Sequence, residues 1–460
     1  MKMVKANTST DRKILNILIP VILENALMTL STMILTAYIG RLSVFEINAY
    51  GITRRIYGIY YSVFKGLSVG TMIAVAKRFG QGDAGKCARL QQESYFLFLP
   101  LSLLVSFLIF FNSRLLLGSM TGDAGLLDTG TELMKDMVFF FPLLAVIHLN
   151  AAAFQANGNT RTPMFIAALG NMVNITLGYV LIFGFRFIPA LGINGAVISQ
   201  NFSFAVMALS GIFLLYGKNG PFAHYEKNFL KLPLKEDVRE MLSSGFPAAL
   251  EDSFWQLANI VISAVILSYG QEYYAAYQIG LEGEGFCNMM SAGFVTAAMS
   301  LSSNAIGAGD EKNYELSYKR LCYFCRIITV ITMLFLALFT RGTLSLMTDK
   351  PELTAIAAGY MYVMIWSQYP QHRQKIEIGY IRTAGHTRTT MFTNLIGLWV
   401  VRVPMVLLFG SVLHLNIYAV WWVFNIDQWI RLLLSVFYYR KYGIADTVCR
   451  KNHSLQEGCI

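Results

Sequence analysis

The chain has 460 residues, 55% of them hydrophobic and 14% charged, with a mean hydropathy of +0.49 and a formal net charge of +10. A water-soluble chain of this length carries more charge, so the composition excludes an ordinary soluble domain and points to a membrane protein. The basic surplus is divided among short loops between apolar runs, which argues against a nucleic-acid partner and is the topology signal of a multi-pass chain.

A spanning helix needs about 20 apolar residues. In chain order the apolar segments run over 14–39, 51–76, 92–111, 133–153, 163–186, 190–216, 243–268, 275–302, 321–340, 355–381, 390–412 and 416–440. The first is too long for a signal-peptide core and lacks an Ala-x-Ala site, so it reads as an uncleaved span. Asn7 to Asp11 before it reads as a mobile lead-in. The breaks carry Gly, Pro and charge, as in Gly80-Gln-Gly-Asp83. The expected fold class is all-α: a polytopic membrane protein of twelve transmembrane helices. Its divisions are a six-helix lobe over 1–216, a linker over 217–240, a second six-helix lobe over 241–440 and a tail over 441–460.

The two lobes are copies. Pro20 and Pro247 lie 227 residues apart, and so do Glu24 and Glu251, Tyr50 and Tyr277, Gly66 and Gly293, Gly82 and Gly309, and Asp83 and Asp310. The same offset relates Gly158-Asn-Thr-Arg-Thr162 to Gly385-His-Thr-Arg-Thr389. One duplicated ancestral half accounts for an offset held without gaps, and membrane transporters are commonly built from such halves. The loop glycines permit tight turns, and Asp83 and Asp310 are expected to cap the helices that follow. Of the 37 Lys and Arg residues, the N-terminus, the even-to-odd loops and the tail hold 23. The positive-inside rule then places both termini in the cytoplasm, with the chain in the plasma membrane. An even number of spans per half makes this a parallel repeat.

At these residues the chain resembles the multidrug and toxic compound extrusion (MATE) family. The motifs that carry the resemblance are Pro20, Gly40-Arg41, Gly80-Gln-Gly-Asp83, Gln155-Ala-Asn-Gly-Asn-Thr-Arg-Thr-Pro163, Asn171-Met-Val-Asn174, Pro189-Ala-Leu-Gly-Ile-Asn-Gly-Ala196, Arg382-Thr-Ala-Gly-His-Thr-Arg388 and Arg402-Val-Pro404. The resemblance implies two six-helix lobes around a cleft and exchange of an organic substrate for H⁺ or Na⁺ by alternating access. Members of the family usually carry an Asp late in the first span. Here Leu35 and Thr36 stand in that region.

Charge inside spans is costly, about 2.5–3.5 kcal/mol at the bilayer centre on insertion scales, so retained charges mark function or structure. Glu24 follows Pro20 by about one turn, and Glu251 and Asp252 follow Pro247. A carboxylate beside a proline kink is suited to binding a proton or Na⁺. Glu284, Asn288 and Ser291 share one face of the eighth span, while Glu282 lies off it. In the tenth span Arg373 and Glu377 are spaced to pair, leaving Lys375 for Glu251, Asp252 or Glu284. His372 is either a titrating group or a hydrogen-bonded structural one. Arg54, Arg55 and Lys65 form a basic set near the second span. Asp427 and Arg431 are spaced to pair, and Arg402 reads as structural. Cys322-x-x-Cys325 lacks a second ligand pair and reads as two ordinary helix cysteines, so no metal site is expected.

The function these residues point to is a secondary antiporter exporting an amphipathic organic compound. Glu251 leads ion coupling, with Asp252, Glu284, Glu377 and Glu24 as further carboxylates. Arg54, Arg55, Lys65, Asn288, Arg373 and Lys375 are the substrate-cleft candidates. No cofactor is expected beyond the coupling ion, no catalytic residue, and no partner beyond a small organic substrate and the lipid bilayer; the protein is expected to be monomeric. One alternative is a flippase of a lipid-linked, anionic or zwitterionic intermediate. A remote one is a polytopic membrane enzyme, against which the dispersal of the six histidines argues. The chain has no Gly-x-x-x-x-Gly-Lys-Ser/Thr loop for nucleotide phosphates.

Overall fold

The computed structural model describes residues 8–39, 41–42, 44–118, 120, 123–225, 233–345 and 350–441. Most of the expected tail, the part of the linker with Lys227 and Lys231, and the side chain of Asn288 lie outside the described residues. The described chain is all-helical apart from turns and one isolated bridge between Phe185 and Ile188.

Among the described residues twelve rods follow one another, as the hydropathy predicts. They are α1 (Thr8–Ile39), α2 (Val44–Gly80), α3 (Ala84–Gly118), α4 with α5 (Ala124–Val138 and Phe141–Ala156), α6 (Arg161–Phe183) and α7 (Ile193–Tyr216) in the first half. The second half has α8 (Lys235–Ser268), α9 (Gln271–Ala308), α10 (Glu311–Ser345), α11 with α12 (Pro351–Met364 and Gln368–Thr383), α13 with α14 (Thr387–Leu395 and Val403–Leu407) and α15 (Ile417–Lys441). Among the described residues eight helices are long and apolar enough to cross a membrane, and a ninth span arises if α4 and α5, bent by 43°, are one. The rods outside that set are α9, α11 with α12, and α15. These carry Glu284, Arg373, Lys375, Glu377, Asp427 and Arg431.

The repeat is visible in the turns. Gly82 and Gly309 both take left-handed φ, +76° and +67°, and so do Gly158 and Gly385, at +73° and +94°. In each first pair the next residue caps a helix: Asp83 Oδ1 accepts the Lys86 backbone N–H at 2.9 Å, and Asp310 Oδ1 that of Asn313 at 3.0 Å. That hydrogen bond to its charged form holds the Asp83 carboxyl below the usual range. The residues before the first span are not a free lead-in from Thr8 onward. α1 already runs from Thr8, and the Arg320 guanidinium donates to both carboxylate oxygens of Asp11.

The chain forms two compact units, one of residues 1–22 with Leu250–Ile460, the other Leu23–Ala249. The boundaries fall at Ile22/Leu23 and Ala249/Leu250, also 227 residues apart. Each lies just after a helix-interior proline, Pro20 in α1 and Pro247 in α8. In the first unit, α9 packs against α10, α11 and α12, and α12 against α15. One apolar core is built around Tyr360, Trp421 and Phe424, another around Phe294, Tyr314 and Tyr380. In the second unit α2 packs against α3 and α5, and α6 against α7.

Candidate functional site

In the unit that contains the later half of the chain, three clusters of charged residues lie among the described spans. The first centres on Glu251. Its Oε2 accepts from Arg382 Nη2 at 2.7 Å and its Oε1 from Asn394 Nδ2 at 2.6 Å. Gln374 donates to Asn394 Oδ1 at 2.8 Å, and Arg382 Nε to Thr390 at 3.3 Å, so both donors to Glu251 are themselves held. Lys375 faces the same place: the charges that act on its ammonium are Glu251 and Asp252, then Arg382 and Arg431. The lysine that the tenth span left for Glu251, Asp252 or Glu284 is thus under the charge of the first two.

The second place is deeper. Asp427 Oδ2 accepts from Arg402 Nη2 at 2.7 Å and from Arg431 Nη2 at 2.5 Å, and all three side chains are at least nine-tenths buried. The i,i+4 pair expected in the last span is present, and the structural role read for Arg402 is to join it. The backbone makes room: Ile396–Arg402 is a π-helical segment, and a Cβ on Gly397 would lie 2.2 Å from Arg431 Cγ. Nearby, Glu284 accepts from the Tyr360 hydroxyl at 2.9 Å, and Arg402 is the cation that acts on it. Ser291 is buried on α9, as the face it shares with Glu284 predicts.

The third place lies on the other side of α12. Arg373 Nη2 pairs with Glu377 Oε1 at 2.7 Å, and the Tyr318 hydroxyl donates to the same oxygen at 2.8 Å. The Arg373 guanidinium lies 5.1 Å from the centroid of the Tyr318 ring and donates to Cys322 Sγ. Positions 373 and 377 lie about 200° around the helix from 375, so Glu377 and Glu251 occupy separate surroundings. His372, fully buried, is bonded on both nitrogens: Nε2 to the Cys287 carbonyl at 3.2 Å and Nδ1 to Thr329 Oγ1 at 3.1 Å. Since a carbonyl only accepts, Nε2 carries a proton, and the Thr329 hydroxyl holds Nδ1 in place.

In the other unit, Arg54 and Lys65 lie on one stripe of α2 with Tyr50, Tyr57 and Tyr61, at offsets of about 4, 7, 11 and 15 residues that keep one helical face. The tyrosines interleave with the cations. Arg54 lies 5.9 Å from the Tyr50 ring centroid and Lys65 5.6 Å from that of Tyr61. Tyr50 donates to Gln200 at 3.0 Å, Tyr57 stacks on Phe204 and Tyr61 meets His148 edge-on. Arg55 faces away from this stripe and is exposed. Glu24, with Oε2 buried and unbonded among the described residues, has Lys65 as the cation that acts on it. Where the family pattern places an Asp, Leu35 is buried, within 3.2 Å of where a Cβ on Gly178 would sit.

Three contributors escaped the sequence reading. Arg382 and Asn394 hold Glu251, yet one stood only as part of a motif and the other in an apolar span. The third is the tyrosine stripe, for which the helical spacing of Tyr50, Tyr57 and Tyr61 is the signal in the sequence.

A family model described as MatE matches residues 20–180 and again 247–408, more than half of the chain. A probable multidrug resistance protein NorM of Thermotoga maritima is 22% identical over 89% of this chain and 88% of its own length. An uncharacterized transporter, YisQ, of Bacillus subtilis is 23% identical over 88% of each. Among solved structures, an outward-facing multidrug resistance MATE family transporter of the MOP superfamily superposes with a TM-score of 0.87 at 17% identity, covering 97% of this chain and 99% of that one. A MOP superfamily transporter from Pyrococcus furiosus, whose reversed binding-pocket polarity suggests a different function, superposes at 0.86, also with 17% identity and 97% and 99% coverage.

Proposed function

The chain belongs to the MATE family of membrane transporters, and from that premise we propose that it is a secondary antiporter of the plasma membrane, with both termini cytoplasmic. It exports an amphipathic organic compound in exchange for H⁺ or Na⁺, acts as a single chain and uses no cofactor beyond the coupling ion. The carrying observation is Glu251: a carboxylate one turn past an intrahelical proline, gripped by Arg382 and Asn394 and faced by Lys375. Changing the ion load of such a group alters the balance between two cleft orientations, provided the substrate favours the other one. The names of the relatives support drug or metabolite export as the transported class.

Uptake of a cationic dye into everted vesicles, under imposed H⁺ or Na⁺ gradients, tests this. Gradient-driven uptake is expected for the native protein and for Glu377→Gln, whose pair faces α10, and is expected to be lost in Glu251→Gln. Full activity of Glu251→Gln with an inactive Glu24→Gln would move coupling to the other unit.

A second reading is favoured by the stripe on α2. Its two cations and three tyrosines suit an anionic or zwitterionic compound, including a lipid-linked phosphate, since guanidinium and ammonium groups repel a cationic drug. That reading predicts no dye uptake by correctly inserted protein, and loss of function in Arg54→Ala or Lys65→Ala.

A further inference from the structure

Deepening the anionic reading, on which this step rests, we infer that one face of α2 is a groove for a soluble, flat organic anion. Arg54 and Arg55 hold its acidic group, and its body lies over Gly58.

At 3.6 residues per turn, positions 51, 54, 55, 58, 62 and 65 fall within about 100° of one another around the helix. They are Gly, Arg, Arg, Gly, Ser and Lys, so no hydrophobic residue interrupts this sector. Yet α2 is one of the helices long and apolar enough to cross a membrane. Acyl chains cannot lie against three cations and a hydroxyl, so the sector borders water. Gly51, Arg55 and Lys65 are exposed, and a Cβ on Gly51 or Gly58 would have no atom within 4 Å. In angle the two glycines lie between the two arginines, one turn before them and one turn after. They leave an opening rimmed by guanidinium groups. Towards the middle of α2 the face ends at the Lys65 ammonium, 5.6 Å from the Tyr61 ring centroid.

Four arginines in the spans of the other unit, Arg373, Arg382, Arg402 and Arg431, each pair with a carboxylate at 2.5–2.7 Å. Among the described residues Arg54 and Arg55 pair with none, and Arg54 has the Tyr50 ring, 5.9 Å away. Neighbouring guanidinium groups without carboxylates repel each other. An incoming carboxylate, sulfonate or phosphate relieves this through forked, charge-assisted hydrogen bonds. The repeat shows that the fold does not require these charges. The equivalent positions on α9 are Gln278, Leu281, Glu282, Gly285, Met289 and Ala292. Gly285 is as open as Gly58, with no atom within 4 Å of a Cβ, so duplication kept the opening while the cations belong to α2. The ammonium at the end of the face is unsuited to acyl chains, which selects a soluble anion over a lipid phosphate.

Equilibrium dialysis of naphthalenesulfonate, a flat soluble anion, against protein in nanodiscs of neutral phosphatidylcholine tests this, with empty nanodiscs as the blank. Saturable binding is expected, which naphthylmethylammonium, a flat cation of similar size, does not displace. Arg54→Gln and Arg55→Gln are each expected to weaken it about tenfold or more, the size of one lost charge-assisted hydrogen bond. Gly58→Leu fills the opening with a better helix former and is expected to abolish binding while eluting as native protein does. Gly285→Leu, the same change on α9, is expected to leave the affinity unchanged. No binding by native protein, native affinity in Gly58→Leu, or an equal loss in Gly285→Leu overturns the inference. So does displacement by phosphatidic acid blended into the nanodisc, which would assign the groove to a lipid phosphate. Uptake of naphthalenesulfonate into everted vesicles judges the export reading separately. Binding with these dependences but no uptake under any gradient upholds the groove and defeats that reading. Uptake that Gly58→Leu leaves at the native level defeats the groove and upholds the reading.

Discussion

Gly66 on α2 and Ala249 on α8 meet backbone to backbone: a Cβ added to Gly66 would lie 2.4 Å from the Cα of Ala249. The seam continues along both helices, with Gly70 over the Met241 carbonyl and Gly245 over that of Leu67. It fastens the half of α8 before residue 250 into the compact unit formed by the earlier half of the chain. The repeat-related contact is looser. A Cβ on Gly293 of α9 would meet side-chain atoms first, Ile22 Cγ1 at 3.1 Å and Leu18 Cδ2 at 3.3 Å.

This asymmetry predicts different outcomes for one substitution at equivalent positions. Gly66→Ala forces two backbones apart and is expected to destabilise the protein by about 1–3 kcal/mol or more. Gly293→Ala asks only for side-chain adjustment and is expected to cost well under 1 kcal/mol, helped by the better helix propensity of alanine. Thermal unfolding in detergent ranks the two. Equal losses would show that the seam on α2 contributes nothing special.

The repeat, the twelve rods and the capped turns were legible because each rests on local chemistry: hydrophobic length, glycine in left-handed turns, aspartate at a helix start. Pairs within one helix were legible for the same reason, and Arg373 with Glu377 and Arg431 with Asp427 are present as spaced. Partners between rods were not. Nothing in the neighbourhood of Asn394 signals that its amide reaches Glu251, and Arg402 meets Asp427 through a π-helical segment whose geometry no periodicity announces. The two halves of α1 and α8 also join different units, which a hydropathy profile draws as single spans.

The buried triad makes a second prediction. Asp427 is the anion that both Arg402 and Arg431 contact. Asp427→Asn leaves two guanidinium groups in a low-dielectric core without that charge, and a loss of about 3–5 kcal/mol is expected, seen as poor yield and a lowered unfolding temperature. Arg431→Met removes one cation while Arg402 still satisfies Asp427, so a smaller loss is expected. If the methionine variant is the less stable of the two, the triad is held together by something other than its central carboxylate.

Glu24 and Lys65 support the last prediction. Lys65 is the cation that acts on Glu24, and both belong to the unit that carries the tyrosine stripe. Glu24→Gln leaves Lys65 with less compensation beside Tyr61 and His148, and Lys65→Met leaves the carboxylate without its cation. Each single change is expected to lower the unfolding temperature, and the double variant to lose less than the sum of the two. A coupling of about 0.5–3 kcal/mol is the usual size for residues that interact directly. Strict additivity in the double-mutant cycle would show that the two charges act independently.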